Sequence, residues 1–282
     1  MSAATESFLA PGDKAATSAP PPPPRPRGRR VGLIASLVTL GLLLAAWSLA
    51  AWQAWVSPLF LPSPIAVARA AAGLVTDGFA DATLLQHFTA SLGRVFGALA
   101  ASLVVGVPVG FAIATSRIGR GILDPIVEFL RPLPPLAYLP LVIIWFGIGE
   151  GSKVLVIALA MVPPTVISTA AGVRAVSEDR IRAARSLGAT GSQVLRFVVL
   201  PSALPAVLTG TRIALGTGWS TLVAAELVAA TRGLGFMIQS AAQFLVTDVV
   251  IVGILVIASV AFFLESVIRF LERRFVPWSS RL

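Results

Sequence analysis

The chain has 282 residues, of which 56% are hydrophobic and only 12% are charged, with a mean hydropathy of +0.87. A soluble domain of this length carries about twice that share of charge, so the composition predicts an integral membrane protein. The absence of cysteine excludes disulfides and thiolate chemistry, and the single histidine leaves no basis for a histidine metal cluster or a serine–histidine triad. We therefore expect no cofactor and no bound metal.

The net charge of +9 is spread over short loops rather than gathered in one basic patch. This distribution excludes nucleic acid as a partner and favours loops that lie on the cytoplasmic side of a membrane. Residues 1–30 are rich in proline and end in several arginines, so we expect a disordered cytoplasmic tail that contacts anionic membrane lipid.

Residues 31–282 are predicted to form a membrane domain with six spans and with both chain termini in the cytoplasm. The predicted spans cover residues 31–52, 91–114, 122–147, 154–172, 204–228 and 249–268. The second contains Gly106-V-P-V-Gly110, a pair of small residues that favours close helix packing.

The third predicted span is interrupted by Arg131-P-L-P-Pro135 and by Glu128. The apolar segment after Pro135 is too short to cross a bilayer alone, so we expect a broken helix. Broken helices at membrane depth line protein or water-filled cavities and often mark a transport pathway. Alternatively, Glu128 and Arg131 form a simple ion pair, since they lie three residues apart.

Two segments are expected on the outer side, residues 53–88 and 229–247. The first contains an alanine-rich helical stretch over 65–75 and ends near His87, which we interpret as a surface residue. Gly147-I-G-E-G-S-Lys153 superficially resembles a phosphate-binding loop, but it lacks the adjacent Gly-Lys-Ser/Thr and is interpreted as a turn.

The longest polar interruption covers roughly residues 177–201. Ser177 is expected to cap a short helix that begins with Glu178 and Asp179, and Gly188 is expected to end it. A second short helix should begin at Thr190 or Ser192 and end before Pro201. Its basic residues place this loop in the cytoplasm.

Within this loop, I-R-A-A-R-S-L-G-A followed by Leu200-Pro201 resembles the cytoplasmic coupling sequence of ABC-importer permeases, which reads Glu-Ala-Ala, three residues, Gly and later Leu-Pro. Arg182 stands where that family has its glutamate. The resemblance implies a short helix that docks into a cytoplasmic ATP-binding subunit. The candidate contact residues are Arg182, Ala183, Ala184, Arg185, Leu187, Gly188 and Ala189.

Two further stretches, beginning at Arg131 and Trp219, resemble the permeases of the nitrate, sulfonate, bicarbonate and taurine importers. The resemblance implies an all-α, type I (MetI-like) permease fold. It also implies a homodimer, ATP hydrolysis on separate subunits, a periplasmic binding protein and residence in the bacterial inner membrane. The implied cargo is taurine or another alkanesulfonate, with nitrate, bicarbonate or another small solute as alternatives.

Polar residues in the predicted spans and in the outer segment 229–247 are candidates for the pathway of an anion. They are Arg131, Arg212, Trp219, Ser220, Thr221 and Gln239. Each has packing or snorkelling as an alternative role. A secondary transporter remains a distant alternative, with Glu128 and Glu226 as its only candidate buried acids, and an intramembrane hydrolase lacks a base beside Ser220.

Overall fold

The computed structural model describes residues 29–275. Most of the predicted cytoplasmic tail, together with the C-terminal Arg281, lies outside the described residues. The chain divides into two compact units between Ala46 and Trp47. The first unit contributes the beginning of one apolar helix, and the second contains all of the remaining helices of the described part.

The described residues are almost entirely helical, and no strand occurs among them, which confirms the all-α prediction. The helices are α1 (Arg29–Trp52), α2 (Pro64–Thr76), α3 (Leu84–Thr115), α4 (Arg117–Leu130), α5 (Leu139–Phe146), α6 (Glu150–Arg174), α7 (Glu178–Ser186), α8 (Gly191–Val194), α9 (Leu200–Ala229), α10 (Leu234–Gln243) and α11 (Thr247–Phe275).

Between residues 29 and 275, five of these segments are long and apolar enough to cross a membrane: α1, α3, α6, α8 continuing into α9, and α11. The remaining one, the third of the six predicted spans, is the broken element. It consists of α4, a turn, a single 3₁₀ turn at Pro135–Ala137 and the eight-residue α5. The predicted break is confirmed, and its cause is the proline run, because each proline removes a backbone donor from the helix.

The core of the second unit forms where α3, α6 and α9 pack closely on one another. A Cβ atom added at Gly106 would lie 2.8 Å from the Thr165 side chain, and one at Gly110 would lie 2.8 Å from the Val166 carbonyl oxygen. A Cβ at Gly210 would lie 2.4 Å from that of Ser168. The predicted close packing of the Gly106–Gly110 pair is therefore confirmed, and α6 is its centre.

The predicted helix in the first outer segment is α2, which Ser63 caps by accepting the Ala66 backbone N–H at 3.2 Å. One buried side of α2 carries Val67 and Leu74, which pack with Met237 of α10 and Val249 of α11. This second cluster joins α2, α10 and the beginning of α11 at the end of the domain where α6 begins and α9 ends.

Candidate coupling surface and transport pathway

Helix α7 has the predicted bounds and follows Ser177, but the Ser177 side chain makes no capping hydrogen bond. Instead, the Arg180 backbone N–H donates to the Ser177 carbonyl at 3.2 Å. The carboxylates of Glu178 and Asp179 lie in the first turn, where they favour the helix dipole. Gly188 has φ of +84°, a conformation that glycine adopts without strain, and it ends the helix as predicted.

The second short helix begins at Thr190 as predicted, through a reciprocal capping box with Gln193. The expectation that it ends before Pro201 is wrong. Residues Leu195–Val199 form a π-helical turn, and the Leu200 N–H bonds to the Leu195 carbonyl five residues earlier. Pro201 then lies in the first turn of α9, where a missing N–H is tolerated, so the chain continues as a helix.

The coupling loop, residues 174–203, is anchored to the ends of α6 and α9 by a buried apolar cluster. The cluster contains Val173, Val176, Val194, Val199 and Ala203, with Ala184 and Ala189 partly buried against it. Of the candidate contact residues, Ala184 and Ala189 therefore face their own domain. The others are exposed: Arg182, Ala183, Arg185, Leu187 and Gly188.

Leu187 is 89% exposed and Phe197 is 69% exposed, and both line a shallow groove of about 320 Å³ beside Gly188. Apolar side chains this exposed at a polar loop are typical of a protein interface. We call the exposed face of α7 with this groove the coupling surface. Arg182, which replaces the motif's glutamate, forms an ion pair with Glu178 one turn earlier in α7.

Four of the six candidate pathway residues lie at two separate cavities. Arg131 lines a cavity of about 310 Å³ with Tyr138, Ser168 and Thr217, between the broken element, α6 and α9. The ion pair between Arg131 and Glu128, which was the alternative to a pathway role, is not present in the structure over residues 29–275.

The second cavity, of about 510 Å³, lies between α9 and α11 and brings together Arg212, Trp219 and Ser220. Arg212 Nη1 lies 3.9 Å from a carboxylate oxygen of Glu272. The Thr221 side chain is buried and donates to the Thr217 carbonyl at 3.0 Å, and Gln239 lies half-buried in α10. Neither Thr221 nor Gln239 lines either of these cavities.

A partly buried charge cluster, which sequence reasoning did not identify as a site, lies at the opposite end of the domain. The Arg94 guanidinium of α3 donates to both carboxylate oxygens of Glu150, with Nε–Oε2 at 2.6 Å and Nη2–Oε1 at 2.8 Å. Its Nη1 donates to Glu226 Oε1 at 2.5 Å, and Lys153 Nζ donates to Glu150 Oε1 at 2.8 Å. Two cations and two carboxylates thus form a neutral cluster, with Arg94 as its bridge.

The same cluster holds the turn before α10. Three successive backbone N–H groups, of Gly233, Leu234 and Gly235, donate to His87 Nδ1 (3.1 Å), Ser91 Oγ (2.9 Å) and Glu226 Oε2 (2.8 Å). These are the N–H groups that a helix leaves without an internal partner at its start. His87 and Glu226 are completely buried, so the interpretation of His87 as a surface residue is wrong.

The signals for this cluster were single charges inside apolar runs, at Arg94 and Glu226, and the T-R-G-L-G turn. Charges in such surroundings require partners. The sequence does not say which ones, since Arg94 and Glu226 are separated by 132 positions.

Residues 106–277 match the family described as binding-protein-dependent transport system inner membrane components. The chain belongs to this family. The permease is 58% identical over 258 residues to the taurine transport system permease protein TauC of Escherichia coli. The aligned residues cover 91% of the permease and 93% of TauC. It is 35% identical to a putative aliphatic sulfonates transport permease protein of Bacillus subtilis, over 94% of each chain. It is 34% identical to a nitrate import permease protein of Synechocystis, over 77% of the permease and 81% of that protein.

The fold is that of solved ABC-transporter permeases. An inward-facing structure of the MetNI methionine ABC transporter matches with a TM-score of 0.58 at 20% identity, over 68% of the permease and 96% of that chain. The predicted MetI-like fold is thus confirmed, as is the prediction of a permease subunit of an ABC importer. The permease is an inner-membrane component, and relatives of its class work with ATP-binding subunits.

Proposed function

We propose that the permease forms the membrane path of an ATP-driven importer for taurine or another alkanesulfonate. The observation that carries the proposal is its 58% identity to the E. coli taurine permease over nearly the whole of both chains. Nitrate remains the second candidate cargo, because a nitrate permease is 34% identical over 222 residues.

The working unit is a homodimer of the permease with two cytoplasmic ATP-binding subunits and a periplasmic binding protein. The coupling surface supports this arrangement, since exposed Leu187 and Phe197 flank a groove suited to a partner's apolar side chain. Both chain termini and the coupling loop face the cytoplasm. The loop carries Arg174, Arg180, Arg182, Arg185 and Arg196, in agreement with the excess of basic residues in cytoplasmic loops.

In this mechanism, the buried cluster around Val194 and Val199 connects the coupling loop to the membrane-spanning helices α6 and α9. When ATP closes the ATPase pair, force on the exposed face of α7 passes through that cluster to the ends of α6 and α9. The two helices line the cavity that holds Arg131, so their displacement would change access to it. ATP provides the difference in free energy between the two states, because a ligand shifts an equilibrium only through its different affinities for them.

The anion pathway passes the candidate cations Arg131 and Arg212, with Trp219, Ser220, Thr221 and Gln239 as further candidates. Of these, Arg131 faces a cavity between the broken element and the central helices without a carboxylate partner among the described residues. A sulfonate would offer that guanidinium a charge-assisted hydrogen bond.

The test is uptake by the full complex in proteoliposomes with its binding protein outside and ATP inside. We expect taurine or alkanesulfonate accumulation that requires ATP and survives dissipation of the proton gradient. Uptake of nitrate or bicarbonate in preference to sulfonates would replace the proposed cargo. Uptake that stops when the proton gradient alone is dissipated would overturn the importer class.

A further inference from the structure

The two helices that flank the coupling loop are joined at their far ends by one arginine. Glu150 lies in the first turn of α6 and Glu226 in the last turn of α9, whereas the coupling loop connects the other ends of these helices. Arg94 of α3 is hydrogen-bonded to both carboxylates and also donates to the Arg232 carbonyl at 2.7 Å.

We propose that Arg94 is a positioning residue that makes α6, α9 and the beginning of α10 move as one body when the coupling loop moves. The inference rests on the proposed function, because it assigns a route for the motion that ATP drives. This route extends to the segment between α9 and α10, which no residue of the coupling surface contacts directly.

The first support is the chemistry of the bridge. A guanidinium presents five N–H groups in a rigid plane, and Arg94 uses them in four hydrogen bonds to two carboxylates and a carbonyl, one more than the three N–H groups of an ammonium allow. Arg94 is 4% exposed and Glu226 is fully buried, so water does not compensate if the bridge opens. The pair therefore separates only at high cost.

The second support is the way Glu226 holds α10. One oxygen accepts the Gly235 N–H, while the other accepts Ser91 Oγ at 2.8 Å and Arg94. A Cβ at Gly233 would lie 2.4 Å from the Glu226 carboxyl carbon. The turn is therefore in direct contact with the Glu226 carboxylate, and we expect the beginning of α10 to move together with the end of α9.

The third support is that the α6 side of the bridge is a surface contact. The Glu150 side chain is 62% exposed, although both of its cationic partners are buried. A partly hydrated carboxylate that holds two buried cations contributes less to folding than Glu226 does, but it still ties α6 to α3. When Glu150 is replaced by glutamine, Arg94 keeps Glu226 as its carboxylate partner, whereas buried Lys153 keeps only the amide oxygen at position 150.

The experiment uses the complete complex with Glu150→Gln, Arg94→Lys and the control Asp81→Asn, an exposed acid whose carboxylate forms no ion pair in the structure over residues 29–275. We expect Glu150→Gln and Arg94→Lys to lower the substrate imported per ATP hydrolysed about five-fold or more, while Asp81→Asn leaves it unchanged. Because buried Lys153 loses its carboxylate partner in Glu150→Gln, this complex should melt below the control, so substrate imported per ATP is compared for equal amounts of assembled complex. An unchanged ratio in both variants, or uptake that falls only in proportion to yield, would overturn the inference.

A second readout requires no transported substrate. Since the chain has no cysteine, Ala242→Cys on the exposed side of α10 provides a single label site. We expect ATP binding to change its rate of reaction with a membrane-impermeant maleimide, and Glu150→Gln to abolish that change. If the wild-type complex imports none of the tested anions, the proposed cargo fails, but this labelling result still decides the inference. An equal ATP-dependent change in both backgrounds would refute it.

Discussion

Gly233 and His87, which lie 146 positions apart in the sequence, are joined by a hydrogen bond from the Gly233 backbone N–H to His87 Nδ1 at 3.1 Å. Because Nδ1 accepts, the proton of the neutral ring lies on Nε2, which is 2.9 Å from the Phe79 carbonyl and donates to it. The only histidine of the chain thereby connects the loop before α3 to the turn before α10.

Replacement of His87 by alanine should leave the buried Gly233 N–H without a partner, whereas the Phe79 carbonyl still accepts the Ala82 N–H at 3.3 Å. We expect a loss of about 1–3 kcal/mol for the unsatisfied N–H, seen as a lower melting temperature of the detergent-solubilised permease. Gln86→Ala is a poor control because Gln86 caps α3, whereas Thr89→Ala removes one exposed hydroxyl of the same helix. Equal melting temperatures for the His87 and Thr89 variants would contradict the structural role.

Alanine at Gly233 should destabilise the permease strongly. The residue has φ of +138°, which disfavours any side chain, and the added Cβ would collide with the Glu226 carboxylate. We expect at least about 2 kcal/mol of lost stability and a reduced yield of folded protein. Gly121→Ala is the matched control, since a Cβ at Gly121 meets no atom within 4 Å. Similar melting curves for the two variants would show that this turn is looser than the structure indicates.

The helices could be predicted from the sequence, because long apolar runs and capping residues are local signals. The broken element was equally visible, since the prolines around Pro135 remove backbone donors wherever the chain folds. The Arg94 cluster could not be predicted, because a charge in an apolar segment indicates that it has partners but not which residues they are. The continuation of helix through Pro201 depended on a π-helical turn, and no local signal in the sequence marked that turn.

Charge reversal at Arg182 and Arg185 together should uncouple ATP hydrolysis from uptake while the permease still folds. Both side chains are exposed, and a carboxylate at position 182 would face Glu178 one turn away. The measurement is uptake per ATP hydrolysed in proteoliposomes, with Arg117→Glu/Arg120→Glu as a control that reverses two exposed charges outside α7. Normal transport and normal ATPase association in the Arg182 and Arg185 variant would defeat the assignment of the coupling surface.

Leu187→Ser should weaken assembly with the ATP-binding subunit. A leucine that is 89% exposed in the isolated permease and becomes buried in a partner contributes about 1.5–3 kcal/mol, so the dissociation constant should rise about 10- to 150-fold. The fraction of ATPase that copurifies with the permease reports the loss. Leu85→Ser, which alters a 67% exposed leucine of α3, should copurify normally. An identical copurifying fraction for both variants would remove Leu187 from the interface.

Arg131→Gln should reduce anion uptake more than Arg212→Gln does. Both arginines face cavities, but Arg212 has Glu272 at 3.9 Å, whereas Arg131 has no carboxylate partner among the described residues and is free to meet a passing anion. A hydrogen bond to a charged group is worth about 1.5–3 kcal/mol, so we expect the maximal uptake rate to fall about ten-fold or more in the Arg131 variant. ATPase association should be unchanged, and Arg117→Gln, on an exposed arginine of α4 outside both cavities, should transport normally. A larger loss in the Arg212 variant would move the pathway to the cavity between α9 and α11.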